Sequence, residues 1–156
     1  MTLPAGIDLT ADMMNAQFWS ILSLFSDSDT IATPETTTSA TYTNLATVGP
    51  TVTVTSRGTL AVVFIGSCQF TNNGGAVTSS FSQYMSVDVS GATTLASSDS
   101  NSCRTTCNNL GAGFDTTRMM LLSINPGSNV YTAKYKHING TQTALFKDRS
   151  IFVLAP

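Results

Sequence analysis

The C-terminal stretch from Met119 to Pro156 constrains the fold of this 156-residue chain more than any other. It holds short apolar or alternating runs separated by two turn signals, Asn125-Pro126-Gly127-Ser128-Asn129 and Asn139-Gly140. An Asn-Gly pair suits a two-residue hairpin because both central positions of a type I′ turn need positive φ. Met119–Ile124, Val130–His137, Gln142–Phe146 and Ser150–Leu154 therefore read as successive strands of an antiparallel meander.

The β signal continues upstream. Thr51–Ser56 alternates strictly, with Val52 and Val54 on one face. Thr59–Ile65 is apolar on both faces, which predicts a central strand covered on two sides, with Cys68–Thr71 as its extension. Thr78–Val89 puts Phe81, Gln83, Met85, Val87 and Val89 on one face and Ser82, Tyr84, Ser86 and Asp88 on the other. Thr41–Thr47 is a further short candidate. Ala92–Phe114 is expected to form long loops with one strand near Arg104–Leu110. Eight to ten strands closely spaced by turn signals predict an all-β antiparallel sandwich or jelly roll over residues 41–156.

Residues 1–40 read as an arm preceding that domain. An amphipathic helix is expected from about Ala11 to Phe25, with Asp8 or Thr10 as cap and Asp12 in its first turn. Met13, Met14, Gln17, Phe18, Ile21, Leu22 and Phe25 recur at the helical period, and Trp19 widens the apolar arc. Thr30–Ala40 reads as an extended linker. A helix this apolar must bury its face on its own domain, on another subunit, or against its equivalents in a trimer. Met14, Phe18, Trp19, Ile21, Leu22 and Phe25 are accordingly the candidate subunit-interface residues.

Charge supports assembly and argues against other partners. Only 10% of residues are charged, so little electrostatic repulsion opposes association. A net charge of −2 argues against nucleic-acid binding. No stretch is long and apolar enough for a transmembrane helix, and the helix lacks the Lys or Arg that would meet lipid headgroups. The first basic residue is Arg57, so no basic signal-peptide region is present and synthesis in the cytoplasm is expected. The early segment is acidic and the C-terminal region mostly basic, which would let the arm of one subunit meet the sheet of a neighbour. Lys134 and Lys136 share a strand face and read as a solvated, edge-protecting pair.

Catalytic chemistry lacks an anchor. The chain has one His and one Glu, and no G-x-S-x-G elbow, phosphate loop or dinucleotide fingerprint. Asp88, Asp99 and Asp115 are scattered. Cys103 and Cys107 either close a small loop or remain thiols, and with Cys68 and His137 they lack the second tight pair expected of a zinc site. The expectation is a protein that is not an enzyme and uses no cofactor or metal.

The segments TYTNLATVGPTVTVTSRGTLAVVFIG and LLSINPGSNVYTAKYKHINGTQTALFKDRSIFVLAP resemble small β-domains of tailed-bacteriophage virion proteins. The features carrying the resemblance are Tyr42, Leu45 and Gly49-Pro50 at a strand entry, and the turn Pro126–Asn129 before Tyr131–Tyr135. A closing strand through Arg149, Ile151 and Val153 to Pro156 completes the pattern, and the opening LPAGIDLTADMMNAQF is similar to the N-terminal arms of such proteins. The resemblance implies a homotrimeric structural protein of the virion surface. It would be either a capsid decoration (cement) protein bound to the major capsid protein, or a minor tail or tail-fibre protein recognising a host surface through the 92–114 loops. No fibrous repeat precedes the domain, which favours decoration.

Overall fold

The structure, a computed structural model, describes residues 11–23, 25–72, 81–107, 113–138 and 143–156. Among the described residues one α-helix, α1 (Ala11–Ser23), precedes nine strands: β1 (Ser26–Ile31), β2 (Glu35–Thr37), β3 (Thr51–Ser56), β4 (Leu60–Asn72), β5 (Phe81–Gly91), β6 (Ser102–Cys107), β7 (Gly113–Ser123), β8 (Gly127–Ile138) and β9 (Thr143–Leu154). All pairings are antiparallel. One sheet runs β1-β9-β4-β7, with β2 also on β9, and the other runs β3-β8-β5-β6. The all-β, sandwich-like class expected from the alternation is what the chain forms.

The strands do not form the expected meander. β7, β8 and β9 fall in alternate sheets: β7 pairs with β4, β8 with β3 and β5, and β9 with β1 and β4. The reason is packing. Met120 and Leu122 on β7, Tyr131, Ala133 and Tyr135 on β8, and Ile151 and Val153 on β9 are all buried in one cluster. Consecutive strands in opposite sheets let these side chains meet across the core, and the repeated crossing from sheet to sheet is the winding of a jelly roll. The Asn139-Gly140 turn lies outside the described residues.

The two last runs are one strand. Ala144 and Phe146 face inward, then Arg149, Ile151 and Val153, so the buried positions switch from even to odd. The switch occurs at Lys147-Asp148, where Asp148 has φ 49° and the β4–β9 register shifts between Gly66 and Cys68. A bulge inserts one residue without ending the strand, and it broke the alternation that the sequence pattern relied on.

The supposed linker is also structural. β1 and β2 both pair along the edge of β9, Asp27 opposite Val153 and Thr36 opposite Leu145. Thr-rich sequence fits an edge strand, and paired backbone groups supply the stabilisation that few apolar side chains provide. Thr41–Thr47 contributes a single bridge, Thr43 to Tyr135, in place of a strand. Leu45 from this segment still enters the core.

The 92–101 segment lies flat on β5. Leu95 bridges Val89, the Ser97 backbone N–H donates to Asp88, and the Ser86 hydroxyl donates to the Asn101 carbonyl at 2.8 Å. β6 begins at Ser102, two residues before the expected strand. Residues 108–112 lie outside the described set.

Candidate functional site

β4 carries the largest departure from expectation. Its pattern predicted cover on both faces, and its place between β9 and β7 is central. Ala61, Val63 and Ile65 are indeed buried, between 0% and 2% exposed. The opposite face is open: Leu60 is 49% exposed and Phe64 44%. Their neighbours match. Phe64 stands beside Met119 on β7 and Phe152 on β9, and Val62 stands beside Leu121 and Leu154. Met119 is 59% exposed, Leu121 63% and Phe152 39%. The Phe64 and Phe152 rings meet at a tilt of 55° with centroids 6.0 Å apart.

The exposed parts of these five large side chains add up to roughly 500 Å² of contiguous apolar surface, taking about 200 Å² for a large apolar side chain. That lies at the upper end of what a monomer leaves in water. The strip is rimmed by small polar residues. Gly66, Thr117 and Ser150 continue the same face, and a Cβ on Gly66 would come within 3.1 Å of the Thr117 methyl, so the surface there is flat and closely packed. Flat apolar sheet surface with a Ser/Thr rim has the anatomy of a protein interface.

α1 presents further apolar surface. Met13, Met14 and Phe18 are 44%, 51% and 59% exposed. The backbone of Trp19, Ile21 and Leu22 lies in the helix as expected, and their side chains fall outside the described set. Phe25 differs from the other interface candidates. It follows the helix, is half-buried, accepts the Ala155 N–H at 2.8 Å, and lies under the Arg57 guanidinium. It thus joins the arm to the closing strand of the sandwich.

The charged residues have structural uses. Lys134 and Lys136 lie on β8, an interior strand, so they protect no edge. Lys134 lies 3.6 Å from Asp88 and donates to Asn44. Lys136 is 8% exposed, ion-paired to Asp99 and flanked by the rings of Tyr42 and Tyr84 at 4.7 and 4.5 Å. Hydrogen bonding from Lys136 holds the Asp99 carboxyl below its ordinary value, and burial pushes the Tyr42 hydroxyl well above its own. The acidic segment and the basic sheet meet within the chain: Arg149, fully buried, pairs with Glu35 at 3.0 Å.

The cysteines do not converge. Cys103 is a buried free thiol and Cys68 a partly exposed one on the opposite face of β4 from the core. Cys103 and Cys107 lie four residues apart on β6. An extended strand separates such Cα atoms by about 13 Å, beyond the reach of a disulfide. Among the described residues no three His, Cys, Asp or Glu side chains are grouped to hold a metal. No protein-family model and no curated protein matches the chain.

Proposed function

We propose that this chain is a virion structural subunit, and within that class a capsid decoration protein that trimerises on the capsid surface and stabilises the lattice. The observation that carries the reading is the open face of β4, β7 and β9. A central strand patterned for burial on both sides has its second side uncovered, on a molecule with few charges to keep copies apart. α1 then serves as the anchor to the major capsid protein, with Met14, Phe18, Trp19, Ile21 and Leu22 as its apolar contacts. Binding only the assembled shell would stabilise that shell by mass action.

The test compares the full chain with residues 24–156 on capsids that lack the protein. The full chain is expected to bind and raise the temperature at which capsids rupture. The truncated chain, which keeps Phe25 and every strand, is expected to stay folded and to lose binding. Equal binding by both would refute the anchoring role of α1, and antibody-labelled electron microscopy that finds the protein on tails would refute the capsid assignment.

The tail reading has one observation in its favour. Tyr84, Asp99, Ser102, Arg104 and Arg118 line a cleft of about 380 Å³, a ring and charged groups of the kind that bind sugars. Saturable glycan binding that is lost on Tyr84→Ala would support that reading over decoration.

A further inference from the structure

Among the described residues, aspartates outside any ion pair stand at one lateral edge of the sandwich and arginines outside any ion pair at the other. At one edge β1 displays Asp27 and Asp29. Among the described residues Asp27 accepts the Ser28 N–H, and Asp29 those of Thr30 and Thr51. At the other edge, where β6 and β7 end their respective sheets, Arg104 and Arg118 line one cleft. Arg118 donates to the Ser102 carbonyl at 3.3 Å, and Arg104 lies over the Tyr84 ring at 5.9 Å. Asp99 in the same cleft is bonded to Lys136. Among the described residues none of these two aspartates and two arginines enters an ion pair.

The apolar strip lies between these edges on the same sheet. Four strands 4.8 Å apart and up to a dozen residues long give that sheet a face of roughly 700 Å², close to the ~800 Å² each partner contributes to a stable interface. A two-fold pairing of like edges would place Asp against Asp or Arg against Arg. Pairing of unlike edges satisfies both, and such head-to-tail contacts close into a ring when the rotation allows.

We propose that copies of this chain associate head to tail, the Arg104/Arg118 edge of one against the Asp27/Asp29 edge of the next, with the Phe64–Leu121 strip turned toward the ring axis. This rests on the assembly reading above and adds its geometry: the contact is heterologous, it is polarised by charge, and its partner is a second copy.

The test is charge reversal in the full chain, read by light scattering across a concentration series with far-UV circular dichroism as the check on folding. Arg118→Glu or Asp27→Lys alone is expected to raise the dissociation constant of the ring at least tenfold. Both together in one chain are expected to restore it to within about threefold of the parent, because each reversed edge then meets a reversed partner. Arg104→Glu, whose parent makes no ion pair among the described residues, gives a second variant should Arg118→Glu misfold. Single reversals that leave association unchanged, or that weaken it without rescue by the double change, overturn the head-to-tail geometry. If Leu121→Glu still dissociates the parent in that case, assembly through the sheet stands and only the edge pairing fails. A parent chain that is monomeric at every concentration overturns both.

Discussion

Arg149 and Glu35 form an ion pair inside the sandwich, Nη2 to Oε2 at 3.0 Å, and they join the first strands of the domain to its last. Arg149 has no exposed surface, stands over the Tyr135 ring at 5.5 Å and also donates to the Thr33 carbonyl. Burial alone would raise the Glu35 carboxyl. Hydrogen bonds from Thr47 and the charge of Arg149 outweigh that and hold it below its ordinary value of 4.5. Removing the carboxylate strands a buried guanidinium, so Glu35→Ala is expected to cost about 3 kcal/mol in urea unfolding. Because the folded-state value is depressed, the stabilisation is complete above pH 4.5 and disappears as pH falls through the folded value. Glu35→Ala should therefore show a flatter acid limb than the parent, and an unchanged limb would contradict the pairing.

His137 gives a second acid response at higher pH. It is 2% exposed beside Phe81, its Nε2 has no hydrogen-bond partner among the described residues, and burial lowers its proton affinity from the ordinary 6.5. The unfolded chain then binds the proton more readily than the folded one. Stability from this group is full above about pH 6.5 and declines as pH drops toward the lowered folded value. His137→Phe is expected to remove that decline, seen as a melting temperature that no longer falls over this range. A variant that keeps the full pH dependence would show that another group is responsible.

Gly91 ends β5 with φ 101°, and a Cβ there would run into the Ser128 carbonyl oxygen, which accepts the Ala92 N–H at 2.9 Å. Strain and steric conflict coincide, so Gly91→Ala is expected to destabilise the domain by about 2 kcal/mol without changing the urea m-value. A neutral substitution would mean that the turn relaxes freely.

Much of this was readable from residue order because alternation is a local signal. Val52 and Val54 on β3, and the Phe81 to Val89 face of β5, point inward as the pattern required. α1 spans most of the stretch assigned to it. What failed was non-local. Which strands neighbour one another depends on contacts across the core, and no run of residues encodes that Tyr131 and Val153 belong to opposite sheets. The bulge at Asp148 reversed the phase within one strand, and edge strands β1 and β2, pinned by backbone pairing, hold a single apolar residue, Ile31. The assembly surface was missed for a related reason. The apolar outer residues of β4 were visible, yet a pattern buried on both sides does not say whether the second cover comes from the same chain or another.

Sedimentation equilibrium of the purified full chain tests that last point most directly, with Leu121→Glu as the paired variant. A species of three times the 16.4 kDa chain mass is expected at micromolar concentration, and a folded monomer for the variant. A parent that stays monomeric while Phe64, Met119 and Leu121 remain open to solvent would contradict it.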